Sequence, residues 1–194
     1  MGEGQARITL KLATSLDGKI ALANGQSRWI TGAESRAEVH RMRAETATII
    51  TGSGTILSDD PLFTARLPEM SPNQPDLVVL DRRGRVPKTA RIFTVTDRRT
   101  RIDRSGDIAA ILAAILASGD DAMIEAGADI AAAALASGLV DRIEWFRAPL
   151  ILGGEGRPVV AALGLERLDQ APSFRRVRVV ERGADLQESY ERIR

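Results

Sequence analysis

The stretch TATIITGSGTILSDDPLFTAR, Thr46 to Arg66, decides how this chain folds. TATIIT is rich in β-branched side chains, which suit a buried strand. It runs straight into two glycines flanking a serine, then into adjacent aspartates, a phenylalanine and an arginine. A Walker A phosphate loop needs a lysine at fixed spacing after its glycines, and TGSGT has neither the lysine nor the spacing. A Rossmann G-x-G-x-x-G is absent too, because Leu57 stands where the third glycine belongs. What remains is a strand entering a glycine turn at Gly52 and Gly54. Such a turn serves either a close backbone approach by a ligand or a tight turn with nothing bound, and spacing does not separate the two. Asp59 and Asp60 invite a magnesium reading. In an extended segment, however, neighbouring side chains diverge, and no third acid lies nearby. One aspartate capping the turn before Pro61, with the other solvated, is the stronger reading.

Upstream, RITLKLAT (Arg7 to Thr14) alternates polar and apolar and reads as a strand. An Asp-Gly turn and a short apolar piece, IALA, follow. Lys11 lies inside that strand, where a lysine needs a partner, and Asp17 or Asp59 is the expected one. Thr31 and Glu34 form a capping-box pattern that predicts a helix from Gly32 to near Glu45. Arg36, His40 and Arg43 then share one helix face, with Val39 and Met42 on another. Such a basic face can hold a phosphate, though it is more often solvated. A lone His40 is more often structural, and Trp29 more often core.

Downstream, a loop through Pro68, Pro72 and Pro75 leads to a strand, DLVVLD, ending at Asp81. IFTVT (Ile92 to Thr96) reads as another strand. SGDIAAILAAILASG reads as a helix capped by Ser105 and stopped by Gly119. DAMIEAG is a strand leading to Gly127, and ADIAAAALASG is a helix closed by Gly138. DRIEWFRAPLIL, FRRVRVVERG and DLQESYERI read as closing strands. Strands alternating with three helices predict an α/β fold with helices on a largely parallel sheet and an antiparallel C-terminal edge. Neither a repeat nor a linker breaks the chain, so a single domain over residues 1–194 is expected. Glu125 ends a strand just before a helix, where α/β sheets commonly bind ligands; the plainer reading is a surface strand end. The helix after it offers free N–H groups to a phosphate. Asp129, in its first turn, also suits the helix dipole.

The chain has 194 residues, 27 Lys+Arg against 26 Asp+Glu, and 44% hydrophobic residues. That is the composition of an ordinary globular protein, with no electrostatic footprint for nucleic acid. It has no cysteine and one histidine, which excludes disulfides, thiolate chemistry, and cysteine- or histidine-rich metal sites. No apolar run reaches the ~20 residues that cross a bilayer, and there is no signal-peptide core, so the cytoplasm is the expected location.

The order of the motifs carries a resemblance. LKLATSLDGKIA, GQSRWITG, RAEVHRMRAETATIITGSGTILSDDPLFTAR, VVLD, IEAG and GLVDRIEWFRAPLILGG, in that order, resemble the riboflavin-biosynthesis pyrimidine reductase family. That family forms the C-terminal half of bifunctional deaminase–reductases and also occurs alone. The similarity spans nearly the whole chain and is most specific from Ser15 to Arg66. It implies a dihydrofolate-reductase-like fold, NADPH as cofactor and a homodimer. The implied reaction reduces the ribose of 5-amino-6-(5-phosphoribosylamino)uracil to a ribityl chain, by hydride transfer to C1′ of the ring-opened imine. By the same resemblance Ser27, Arg43, Phe63, Arg66 and Glu125 bind substrate. Ala13, Trp29, Gly52, Gly54, Thr55, Asp59 and Gly127 meet the cofactor, with Asp59 at its junction with substrate. Such an iminium carbon needs a carboxylate, the role expected of Asp59, and the ring oxygen needs a proton, with Lys11 expected as proton donor or orienting partner. Arg82, with Arg83, is placed to grip a 2′-phosphate. The chain departs from the pattern in three ways. The zinc deaminase half is missing, Asp129 follows Glu125-Ala-Gly-Ala where the family carries threonine or serine nearby, and the region between Thr96 and Asp121 is short. A related pyrimidine or pterin as substrate, or a non-catalytic nucleotide-binding member, is the competing expectation.

Overall fold

The computed structural model describes residues 6–67 and 73–193. In chain order these form β1 (Ile8–Thr14), β2 (Lys19–Ala21), α1 (Ala33–Glu45), β3 (Thr48–Gly52), α2 (Ser53–Asp59), β4 (Asp76–Leu80) and β5 (Thr100–Asp103). Then follow α3 (Ile108–Ser118), β6 (Ala122–Ile124), α4 (Ala128–Ala136), β7 (Arg142–Arg147), β8 (Arg157–Pro158), β9 (Phe174–Arg182) and β10 (Asp185–Arg192). An eight-stranded sheet has the order β5-β4-β3-β6-β1-β7-β10-β9. Its first six strands run parallel, and β10 and β9 close it as an antiparallel hairpin. The α/β class, the mostly parallel sheet and the antiparallel C-terminal edge all match the sequence pattern.

Alternation in β1 explains the layering. Ile8, Leu10 and Leu12 are buried and join Ile50, Val78, Leu80 and Ile124 beneath α3 and α4. Thr9, Lys11 and Ala13 point to the opposite face, because strand side chains alternate. On that opposite face Ile49, Leu77, Val79 and Met123 pack with Ile56 of α2, Phe63 and Met42 of α1. The parallel strands all end together, so the loops after β1, β3, β4 and β6 gather along one rim.

Several local expectations are corrected. Gly52 to Asp59 is not a glycine turn followed by an extended segment: it is the start and body of α2, so among the described residues four helices flank the sheet. Gly52 leaves room for the tip of Ile130: a Cβ there would sit 2.4 Å from Ile130 Cδ1, so that side chain would have to move aside. IFTVT is not a strand; Arg91–Thr94 is a turn of 3₁₀ helix, and the strand beside β4 is Thr100–Asp103. Only Ile92 of IFTVT is fully buried, and the Arg91 N–H is bonded to Asp60 Oδ1 at 2.9 Å, so tertiary contacts override its β propensity. The cap of α3 is Asp107, which accepts from Ala110 N at 3.0 Å, while Ser105 Oγ donates to Asp103. Helix α1 has no capping box. Its N-terminus is served by Asp185 of β10, whose Oδ2 accepts from Gly32 N at 2.7 Å and Ser35 Oγ at 2.6 Å. The expected loop positions Pro68 and Pro72 lie outside the described residues.

Candidate active site

Glu125 follows β6 in the middle of the sheet, between β3 and β1. Its backbone is held on both sides: its N–H donates to Ile50 O at 2.9 Å, and Thr51 Oγ1 donates to its carbonyl at 2.7 Å. Leu10 pairs with Ile124, so Lys11 of β1 lies beside Glu125 on the same face. The Lys11 Nζ to Glu125 Oε2 distance is 4.0 Å. Arg43, in the last turn of α1, grips the carboxylate with two parallel bonds, Nε to Oε1 at 2.7 Å and Nη2 to Oε2 at 2.8 Å. This planar fork is the strongest geometry available to an arginine and a carboxylate. The partner of Lys11 is thus Glu125, neither Asp17 nor Asp59. Asp17 instead ties the loop after β1 to residues 152 and 153, accepting from Ser15 Oγ at 2.6 Å and from the N–H groups of Leu152 and Gly153. The Ser15 hydroxyl, followed by those N–H groups, holds the Asp17 carboxyl down at about 2.

The three charges are almost out of water: side-chain exposure is 8% for Glu125, 14% for Arg43 and 16% for Lys11. Burial alone would raise the Glu125 carboxyl; Arg43, then Lys11 and His40, outweigh it and keep it below the usual carboxylate range. Burial pushes the Lys11 ammonium below the usual lysine range, an effect Glu125 opposes and Arg43 reinforces. Arg43 also donates to Thr64 O at 3.2 Å and lies 5.5 Å from the Phe63 ring centre. His40, one turn earlier on α1, bonds the same Thr64 carbonyl through Nδ1 at 3.0 Å. Its Nε2 lies 3.1 Å from Arg66 Nη2. The basic face Arg36–His40–Arg43 is therefore divided, with Arg43 and His40 turned onto the segment carrying Phe63 and Arg66.

The other expected residues lie on β1, on α2, and in the loops before α1 and after β4. Asp59 ends α2; its carbonyl accepts from Arg28 Nη2 at 2.6 Å and its carboxylate is 3.8 Å from Arg28 Nε. Asp60 is the left-handed cap of that helix. Ser27 is half-buried in the loop before α1, Thr55 is half-buried on α2, and Ala13 is on the Lys11 face of β1. Trp29 is not core: it is 70% exposed, with the Arg36 guanidinium 4.6 Å from its ring centre. Arg82 is exposed on the turn after β4, 3.2 Å from the point a Gly106 Cβ would occupy. Sequence reasoning did not weigh Thr64, whose carbonyl joins His40 to Arg43, or Arg28, which reaches Asp59. A single threonine and arginine in loops carry no pattern that would have marked them.

The rim also suits a dinucleotide. Helix α4 begins at Gly127 with no side-chain cap, and its first intrahelical bond is Ala131 N to Gly127 O. The N–H groups before Ala131 are the unsatisfied ones that bind phosphates at helix starts. A Cβ at Gly127 or Gly54 would touch nothing within 4 Å, leaving open space over both. Asp129 is exposed at the edge of this opening. Among the described residues no group of three or more His, Cys, Asp or Glu could hold a metal. An apolar groove of about 420 Å³, lined by Leu135, Leu163, Leu165, Ala171, Pro172 and Ile193 among others, lies at the opposite strand ends, away from this cluster. Among the described residues no helix is long and apolar enough to cross a membrane.

A mostly parallel sheet closed by an antiparallel hairpin, with its polar cleft at the strand ends, defines the dihydrofolate-reductase-like class. The RibD C-terminal domain family matches residues 6–187, and the chain belongs to that family. Riboflavin biosynthesis protein RibD of Mycobacterium tuberculosis (strain ATCC 25618 / H37Rv) is 37% identical over 187 residues, covering 94% of this chain and 53% of the relative. The Escherichia coli (strain K12) protein of the same name is 30% identical, covering 96% and 60%. Acinetobacter baumannii RibD superimposes with a TM-score of 0.86 at 29% identity, over 98% of this chain and 59% of that one. The chain thus spans about half the length of the curated relatives it matches. The yeast reductase Rib7 shares the fold over 97% of this chain, at a TM-score of 0.68 and 17% identity.

Proposed function

We propose that this domain is the reductase of riboflavin biosynthesis, reducing 5-amino-6-(5-phosphoribosylamino)uracil to its ribitylamino product. The buried Lys11–Glu125–Arg43 cluster beside an open helix start carries this reading, together with the family. A solved relative from Thermotoga maritima, 27% identical with a TM-score of 0.83, is described as a deaminase and 5-amino-6-(5-phosphoribosylamino)uracil reductase. A nicotinamide cofactor is what the family implies in general. We take it to be NADPH, with exposed Arg82 and Arg83 available to a 2′-phosphate.

Bound NADPH would supply a hydride to C1′. The chain's part is binding, charge and protons. Gly127, the start of α4, Gly54, Thr55, Ala13 and Trp29 would hold the cofactor, with Gly52 shaping the strand end beneath it. Ser27, Arg43, Phe63 and Glu125 would hold the pyrimidine and sugar, and exposed Arg66 would grip the phosphate. As the sugar ring opens, the C1′–O4′ bond breaks and the attached nitrogen shares its lone pair with C1′. Lys11 Nζ would give O4′ its proton, and burial makes that ammonium a better acid than a free lysine. Asp59 would stabilise the positive charge on the iminium until hydride arrives. We further propose a homodimer, supported by the exposed valines 177 and 179 on edge strand β9, and a cytoplasmic location, since substrate and cofactor are charged and would not cross a bilayer.

The test is oxidation of NADPH in the presence of the phosphoribosylaminouracil, with wild type beside Asp59→Asn. Wild type should turn over. The variant should lose about two or more orders of magnitude in kcat while binding NADPH normally. No oxidation by wild type, or a near-normal rate in the variant, would reject the reading or the role of Asp59 respectively.

A further inference from the structure

Among the described residues two that are not glycine have left-handed backbones, Asp60 at φ 41° and Phe63 at φ 53°. Asp60 is a helix cap, a position where such a backbone is common. Phe63 is in no regular element, and a bulky aromatic rarely adopts positive φ unless its surroundings impose it. The imposing group is Arg98, from the loop before β5. Its Nη1 donates to Phe63 O at 2.9 Å and its Nη2 to Leu62 O at 2.7 Å. In an extended chain, consecutive carbonyls point to opposite sides. One planar guanidinium can donate to both only if the chain turns between them, and the left-handed Phe63 is that turn.

Arg98 gives up a good deal to sit there. Burial pushes its guanidinium below the usual arginine range, and its Nε is buried without a hydrogen-bond partner. What it holds is the substrate wall. Phe63 is 3% exposed and lies against Arg43. Thr64 O, next along, accepts from both His40 and Arg43. Ala65 is fixed by two bonds with Gln74, and Arg66 follows. The segment has no ladder or helix of its own, so side chains from elsewhere must set its path.

We propose that Arg98 is a positioning residue of the substrate site: its fork on the Leu62 and Phe63 carbonyls fixes the left-handed turn that seats Phe63 in the core against Arg43 and presents Thr64 and Arg66 to substrate. The substrate half of this statement rests on the proposed function. Two variants test it, Arg98→Met, which removes the fork, and Arg98→Lys, which keeps the charge without the planar pair. Amide hydrogen exchange in peptides covering residues 61–67 should rise in Arg98→Met, with α1 and β6 unchanged. The KM for the phosphoribosylaminouracil should rise roughly tenfold or more, as loss of charge-assisted bonds implies. The KM for NADPH should stay within about twofold, and Arg98→Lys should fall between. Unchanged exchange at 61–67 overturns the proposal. So does faster exchange with an unchanged substrate KM, or a parallel rise in both KM values. An inactive wild type would instead reject the proposed reaction, leaving the exchange experiment to decide whether Arg98 sets the turn.

Discussion

Two buried glutamates flank Lys11 in the sheet, and they have opposite characters. Glu125 is on its β6 side, and Glu144 of β7 is its register partner on the other. Exposure is 8% for one and 4% for the other, so burial does not distinguish them. Their donors do. Glu144 is closed by its own sheet: Arg142 from the same strand, Gln187 Nε2 at 2.8 Å and Ser189 Oγ at 2.9 Å from β10. Gln187 in turn accepts from Arg182, which pairs with Glu38 of α1. Glu125 is met by two long cations from β1 and α1, and both retain N–H groups that Glu125 does not use. A carboxylate saturated by neighbouring strands is a structural tie. A carboxylate whose counter-ions have donors to spare, at the ends of parallel strands, stands where α/β sheets commonly bind ligands, and that is the role proposed for Glu125.

Removing charge from each tests that distinction, and the larger effect belongs to Glu125. Glu125→Gln leaves Arg43 and Lys11 as buried cations without their anion, which costs about 3–5 kcal/mol. Denaturant unfolding should show that loss, and NADPH oxidation should fall by roughly a hundredfold or more. A stable, active Glu125→Gln would erase the distinction at its stronger end. Glu144→Gln keeps one acceptor oxygen but presents an NH₂ to donors. It should cost about 1–3 kcal/mol in unfolding, with substrate and cofactor KM within roughly twofold of wild type. A drop in activity matching that of Glu125→Gln would show that the whole strip around Lys11 is catalytic.

The comparison also explains what the sequence made legible. β1, β3, β4 and β7 were readable because alternation and β-branching are local properties, and Gly119 was readable as a helix stop because a left-handed cap is local too. Glu125 stood out by its place after a strand. Its partners did not, because Lys11 is 114 positions away and meets it only through the order β3-β6-β1. Asp185 caps α1 from 153 positions away, so the local Thr31/Glu34 pattern pointed to a capping box that does not form. The glycine-rich start of α2 misled for the same reason: what Gly52 makes room for is Ile130, on another helix. Resemblance named the rim residues, but the grouping of His40, Thr64 and Arg66 required coordinates.

The smallest expected effect is at His40, on the outer edge of the Glu125 cluster, and it sharpens what that cluster does. Thr64 O can only accept, so His40 Nδ1 carries the proton; Arg66 can only donate, so Nε2 is bare. The ring is therefore neutral in this arrangement. Burial, then the charges of Arg43 and Arg66, lower its pKa, against opposing pulls from Thr64 O and Glu125. Because the folded value is depressed, the unfolded chain takes up the proton first as pH falls below about 6.5. Stability contributed by neutral His40 is thus present above that value and is lost as pH falls through the folded pKa. Once the folded ring itself takes the proton, below its lowered pKa, Arg66 loses its acceptor and gains a cationic neighbour. On acidification the substrate KM should rise roughly three- to tenfold while the NADPH KM does not. A phosphate group on the substrate also titrates near pH 6, so the wild-type profile alone is ambiguous. His40→Gln supplies an acceptor that does not titrate, and both enzymes see the same phosphate. The ratio of the two substrate KM values across pH therefore isolates His40. A ratio that stays flat down through the pH at which the His40 ring is seen by NMR to take its proton would show that Arg66 is held by the segment around Thr64 alone.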